Sequence, residues 1–372
     1  MPALPAVINH SFKIIMIKNW SGIFSLLILA LTFGSWGGLG HRTISFKSVE
    51  SFPAAMNDFK VWNDSLSLHA SDADNRKSSD SNESPKHFLD IENYQEYLTK
   101  GRIYSTYDSL VNKYGSSVVI NNGTLPWATQ NTYDLLVSDF RNLKWHQAMI
   151  DASDLGHYVA DGHMPLHISA NYDGQQTGNR GIHSRYESDM VYANISQLSA
   201  YSGSPVNFVS NVNSYIFNYI YNNHRYVDSI LIADNYSKSI DSYYGTPYYN
   251  ALWSKTKFTT TLFKNASHSL AELIYTAWVN AGSPPYKSTT LPNGVTSNSI
   301  QFVNAYPNPC TGIFNLAAEG FVKAEVFSLT GELNGTYFQK RIDMSNAPNG
   351  VYIMKVYLEN QHIQQIKIIL TD

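Results

Sequence analysis

Residues of the kinds that hold divalent ions crowd into one segment, "DLGHYVADGHMPLH" at 154–167, and recur shortly afterwards in "GIHSRYES" at 181–188. His157 and Asp161 stand four apart, which puts both side chains on one face of a helix and lets them reach a common ion. His183 and Glu187 repeat the spacing, and His167 follows the break that Pro165 imposes. Imidazole nitrogen and carboxylate oxygen are ligands for zinc and its neighbours, so two helical pairs with one further His can surround a cluster of divalent ions. One His-xxx-Asp pair would be an ordinary feature of a helix surface. Five such residues in this order carry the reading. Cys310 is the only cysteine, which excludes an intramolecular disulfide and a thiolate-rich site, and leaves the 12 His with Asp and Glu as the ligand supply. No Ser or Cys nucleophile elbow is recognisable, which agrees with a site that needs no protein nucleophile.

The elements that position these residues follow from periodicity. At 372 residues, with 43% hydrophobic and 15% charged, the chain can form one large packed domain and a small one. The net charge of −3 calls for neither duplex DNA nor an anionic membrane as partner. From Trp36 to about Gly282 the pattern is mainly helical. Phe140, Leu143, Ala148, Ile150, Leu155 and Val159 recur at helical intervals up to the stop at Pro165. Leu270, Leu273, Ile274, Ala277 and Trp278 share one face of a second helix, with Gly282 placed as its C-cap. Gly174–Gly181 and Tyr236–Tyr249 read as loops. Residues 283–303, rich in Pro, Ser, Thr and Asn, read as a linker. Beyond it, "KAEVFSL", "VYIMKVYL" and "QIKIIL" alternate between the turn signals "LTGE" and "APNG". The fold class expected is therefore a mainly α domain, 36–282, followed by a small all-β antiparallel sandwich, 304–372. At the start, Lys13 and Lys18 precede the apolar run Gly22–Ser35, too short for a comfortable span, so 1–35 is expected to be a secretory signal peptide.

"HYVADGHMPLH" with "GIHSRYE" resembles the superfamily of zinc-dependent phospholipases C and single-strand-specific zinc nucleases, over roughly residues 36–282. The resemblance implies a helical fold holding three zinc ions. It assigns His157 and Asp161 to zinc, with Asp161 bridging two ions, and His167, His183 and Glu187 to another. "SDADNRKSSDSNESPKHFLDIENY" resembles the family's Ala-Asp and His-aromatic-x-Asp segments, which adds Asp74 and His87 as ligands, with Asp72 as the alternative to Asp74. "WGGLGH" resembles the family's mature start, where the amino nitrogen and carbonyl of a first Trp bind zinc beside a His. Trp36 and His41 fill those places here, after cleavage between Ser35 and Trp36. The resemblance also implies that Asp74 orients or deprotonates the attacking water, that Asp90 supports the site, and that Arg76 or Lys77 neutralises the phosphoryl oxygens. His163 reads as support for the site and not as a ligand.

The tail, with "NAYPNPCTGIFNL" and "IDMSNAPNGVYIMKV", resembles the sorting domain of proteins exported by the type IX secretion system, which implies passage through the periplasm to the cell surface or beyond. The expectation is a secreted, trizinc phosphoric ester hydrolase. Its substrate is a phosphoester, either a phospholipid headgroup or single-stranded nucleic acid: Glu187 is phospholipase-like, whereas "WGGLGH" and "HFLD" are nuclease-like. The type IX machinery is its one expected protein contact, and no stable protein partner is predicted. The alternative is a surface binding or adhesion protein that keeps the scaffold without turnover.

Overall fold

The computed structural model describes residues 37–286, 303–318, 320–328, 331–358 and 363–371. The signal segment 1–35, Trp36 and most of the expected linker lie outside the described residues. As expected, a mainly helical domain is followed by antiparallel β-structure.

Helix Trp145–Asp161 is the axis of the helical domain. Its second half is buried on every side: Leu155 and Val159 join a cluster with Phe59, Trp62 and Phe140, Ala160 joins one with Ile44 and Tyr186, and Tyr158 one with Leu89 and Trp127. Buried all round, the helix can lodge polar ligands where water is excluded. Against it pack the helix Gly37–Ser48 and the long helix Thr259–Asn280. Gly156 is what lets them approach, because a Cβ there would meet Leu270 Cδ2 and Ser45 Oγ at 2.9 Å each. That close crossing brings His41 of the first helix onto His157.

Two local expectations are corrected. The periodicity through Leu143 is interrupted: Leu125–Arg141 and Trp145–Asp161 are separate helices, with Leu143 at φ 57° and 55% exposed. Asn142 Nδ2 donates to Ser138 O and Lys144 N to Asp139 O, which closes the turn. Similarly, Tyr236 and Tyr249 lie inside helices Val227–Ile240 and Thr246–Lys255, and only 241–245 is loop. Asp234, paired with Arg185, anchors the first of these helices and Pro247 opens the second. By contrast, Gly282 has φ +93° at the end of the long helix, the conformation for which glycine is the preferred residue. The described start of the expected linker packs on the helical domain, Tyr286 stacking on Phe59 at 4.8 Å.

The long helix also carries Glu272, only 6% exposed, which accepts hydrogen bonds from Asn207 N at 3.0 Å and Tyr215 Oη at 2.6 Å, with His268 Nε2 at 3.2 Å. Burial alone would raise its carboxyl, but His268, Tyr215 and Asn207 outweigh it and bring it from 4.5 to about 2. A depressed carboxyl stabilises the fold above its unfolded value and loses that contribution as pH falls through the folded value. Glu272→Gln is therefore expected to flatten the wild-type loss of stability between pH 4.5 and 2, and at pH 7 to lower Tm by roughly 2–4 °C. Thermal melts across that range check it, and an unchanged acid limb would refute it.

The tail forms two antiparallel sheets: β1 (Asn304–Tyr306), β2 (Ile313–Ala317) and β5 (Arg341–Asp343) in the order β1-β2-β5, and β4 (Leu333–Tyr337), β3 (Phe321–Ser328), β6 (Gly350–Leu358) and β7 (Ile363–Leu370) in the order β4-β3-β6-β7. Phe314, Val326, Ile342, Met354 and Ile368 fill the space between them, and Cys310 is buried in the same core. Among the described residues, no helix is long and apolar enough to cross a membrane.

Candidate metal centre

Three groups of ligand-type atoms converge, each with its atoms within 4.8 Å of one another: His41, His157 and Asp161; Asp74, His87 and His157; His167, His183 and Glu187. All of these residues are buried except Asp74, which is partly so. Asp161 stands between the first two groups. Its Oδ1 lies 3.5 Å from His41 Nε2, and its Oδ2 lies 3.1 Å from His87 Nδ1 and 3.4 Å from His157 Nε2. One carboxylate oxygen thus faces each group, the arrangement a bridging ligand needs.

The rings are aimed by their other nitrogens. His157 Nδ1 donates to Ala70 O at 2.7 Å, His167 Nδ1 to His87 O at 2.7 Å and His183 Nδ1 to Tyr172 O at 3.1 Å. With Nδ1 held on a carbonyl, each Nε2 points inward. Glu187 meets both neighbours of its group, Oε2 at 3.3 Å from His167 Nε2 and Oε1 at 3.3 Å from His183 Nε2. The spacing of four between His183 and Glu187 runs through the short helix Ile182–Ser184 into a π-turn, Arg185–Met190, a form frequent at functional sites.

Whether these donors suit a metal can be asked of the distances. Ligands about 2.0–2.2 Å from a tetrahedral ion lie roughly 3.3–3.6 Å from each other. Most donor separations here, 3.3 to 3.5 Å, match that edge and exceed a good hydrogen bond, although His87 Nδ1 is closer to His157 Nε2, at 2.9 Å, and to Asp161 Oδ2, at 3.1 Å. Asp161 Oδ1 is buried without a hydrogen-bond partner, a condition that a cation would relieve. The electrostatics agree. Burial would lower His157, but Asp161 and Asp74 outweigh it and push the imidazole up to about 10. Burial would raise Asp161, yet His157 and His167 hold it well below the usual carboxylate range. His41, which is buried and stacked on His157 at 4.0 Å, is brought down to about 3 by burial first and His157 second. A carboxylate-rich pocket that drives one imidazole to hold a proton is a pocket that offers more negative charge than its cations balance.

The upstream segments divide as follows. Asp74 Oδ1 stands 3.5 Å from both His87 Nδ1 and His157 Nε2, and accepts from Lys77 Nζ at 2.7 Å. Asp72 points elsewhere, its Oδ2 2.7 Å from His69 Nδ1. A cleft of about 390 Å³ opens beside the centre, lined by Lys77, His87, Phe88, Asp90, His167, Tyr172 and His183 among others. Burial, then Glu92, pushes Asp90 up to about 7. Arg76 is not among the lining residues. Its guanidinium is bidentate to Asp154, at 3.2 and 2.8 Å, and reaches Glu83 at 3.4 Å. His163 lies apart from the three groups, Nδ1 donating to Val159 O at 2.8 Å and its ring stacked on Tyr219 at 4.5 Å. Sequence reasoning passed over Glu83, 1% exposed and 3.5 Å from His87 Nε2, although its position four residues before His87 was a visible signal. It could not see the three orienting carbonyls, which no side-chain pattern marks.

The fold and site together define a mainly helical protein with a His and carboxylate centre and a β-tail. Residues 304–371 match the family described as the secretion system C-terminal sorting domain. The tail accordingly directs the chain to the type IX secretion machinery and so to the cell surface or the extracellular space. No curated protein matches the chain by sequence. Solved structures that align with it include the Clostridium perfringens alpha-toxin from an avian strain, at 11% identity and TM-score 0.45, over 90% of this chain and 94% of the toxin's. The alpha toxin of Clostridium absonum aligns at 11% identity and TM-score 0.45, over 91% of this chain and 96% of its own.

Proposed function

We propose that this is an exported zinc-dependent phosphoric ester hydrolase, with the resemblance to zinc phospholipases C and nucleases reflecting a shared centre and phosphodiesters as substrate. The observation that carries the reading is the convergence of three His and carboxylate groups beside one cleft, with Asp161 presenting an oxygen to two of them. Zinc bound there would polarise phosphoryl oxygens and bring a water towards neutral pKa. Residues His41, Asp74, His87, His157 and Asp161 would hold two ions, one of them with Trp36, and His167, His183 and Glu187 a third.

The chain's own groups do the rest. Asp74, tied to Lys77 of the cleft wall at 2.7 Å, would take the proton of an attacking water. Lys77, on the wall and tethered to Asp74, supplies the positive charge that offsets the phosphoryl oxygens. Asp90 can hold or release a proton at its carboxyl near neutrality. Phe88, Leu166 and Tyr172 give the cleft an apolar side for the rest of the substrate.

Metal analysis with hydrolysis of a generic phosphodiester tests the reading. About three zinc ions per chain and turnover are expected; no zinc, or zinc without hydrolysis, would favour a binding protein on the same scaffold. Comparing phosphatidylcholine with single-stranded nucleic acid then assigns the substrate. Lys77→Ala is expected to lower kcat/KM by roughly 100-fold with zinc content retained, and Lys77→Arg to keep part of the rate. A Lys77→Ala enzyme as fast as wild type would remove that residue from the proposal.

A further inference from the structure

We propose that Glu83 is the positioning residue for His87, at the centre of an ionic hub that cross-links the three segments supplying Asp74, His87 and His157. The inference rests on the reading that these residues hold an ion.

His87 is aimed differently from its partners. His157, His167 and His183 give Nδ1 to a backbone carbonyl, whereas His87 turns Nδ1 inward, 2.9 Å from His157 Nε2, 3.1 Å from Asp161 Oδ2 and 3.5 Å from Asp74 Oδ1. If Nδ1 gives its lone pair to an ion, the ring proton sits on Nε2. That atom is buried and lacks a hydrogen-bond partner, and what faces it, at 3.5 Å, is Glu83 Oε1. A carboxylate there selects the Nε2–H tautomer, fixes the ring plane and raises the basicity of Nδ1. Among the described residues, no backbone carbonyl accepts from Nε2 to do this instead.

Glu83 is itself held from several sides. Lys86 Nζ donates to its Oε2 at 2.8 Å, Arg76 Nε reaches the same oxygen at 3.4 Å, and Tyr158 Oη donates to Oε1. Arg76 in turn forks onto Asp154 with both terminal nitrogens. Each segment that brings a ligand also brings a hub member. Arg76 follows Asp74 by two residues, Glu83 precedes His87 by four, and Asp154 and Tyr158 flank His157 on its helix. Arg76, one of the two cations that the sequence offered for phosphate, thus does its work behind the ligands. The group of His167, His183 and Glu187 has no side chain in this hub, which makes it an internal control.

The test uses the mature full chain, with zinc titrated against a chelator. Glu83→Ala is expected to weaken one bound zinc by about 10- to 100-fold while the tightest remaining site keeps its affinity. Glu83→Gln should recover part of the loss, because its amide oxygen still accepts from Nε2–H. Side-chain ¹H–¹⁵N NMR of the zinc-loaded wild type should show a histidine metallated at Nδ1 with a protected Nε2–H, and that signal should be lost in Glu83→Ala. If Glu83→Ala does not fold, Asp154→Asn, which loosens Arg76 and leaves Glu83 in place, should weaken the same site by several-fold. A folded Glu83→Ala that binds zinc as wild type does, or loses it evenly from every site, overturns the inference. A wild type that binds zinc but cleaves no phosphoester fails the functional reading alone.

Discussion

Asp161→Asn is expected to leave about one zinc ion per chain and to slow phosphodiester hydrolysis by about 1,000-fold, equivalent to roughly 4 kcal/mol of transition-state stabilisation. The substitution keeps the side chain's volume in a site that is 0% exposed, so the effect is one of charge and not of packing. Asp161 is the residue whose two oxygens face two different groups, His41 on one side and His87 with His157 on the other. An amide offers one oxygen and no charge, and its nitrogen is a poor ligand, so both neighbouring sites weaken together. The group of His167, His183 and Glu187 has its own carboxylate and should keep its ion. His157→Ala should behave similarly, since that ring is common to two of the groups. Metal analysis on dialysed protein, paired with initial rates at saturating zinc, reads both effects. Two variants that kept three ions and full activity would mean that the centre has been misread.

Much of this centre could be read from spacing because the ligands come in local pairs. His157 with Asp161 and His183 with Glu187 are set by a helical turn, and their types name the chemistry. What remained open was long-range. The resemblance put Asp74 first and kept Asp72 as its alternative, and the placement of helix Asp72–Arg76 beside Trp145–Asp161 brings Asp74 to His157 and leaves Asp72 on His69. Arg76 and Lys77 are separated by the same placement, one turned to Asp154 and the other to the cleft. Both carry the same charge, so composition offered no reason to choose. The break at Leu143 was hidden because a leucine at φ 57° is a costly conformation that the surrounding turn imposes and that hydrophobic period does not register. The β-tail was plainer: β3 and β6 alternate buried and less buried residues over most of their length, the pattern an antiparallel sheet with one packed face writes into its sequence.

A chain that begins at Trp36 is expected to bind one more zinc ion than a chain carrying a single extra residue before it, and to hydrolyse a phosphodiester about 100-fold faster. His41 and Asp161 Oδ1 face each other at 3.5 Å, and His157, stacked on His41, is shared with Asp74 and His87. Those two groups therefore contribute few donors of their own to an ion between them. His41 follows the first residue of helix Gly37–Ser48 by about one turn. On our reading, the amino nitrogen and carbonyl of Trp36 complete that site. A free α-amine with a pKa near 8 has a usable neutral fraction at pH 7–8 and a lone pair to give, whereas an amide nitrogen has neither. One extra residue converts the first into the second while leaving every described side chain in place. Removal of the signal segment would then be the step that finishes the metal centre, and protein still carrying it would be inactive. Zinc counted in the two forms, together with N-terminal sequencing of the exported protein, decides the matter; equal zinc and equal rates would place the remaining ligands of the ion beside His41 elsewhere.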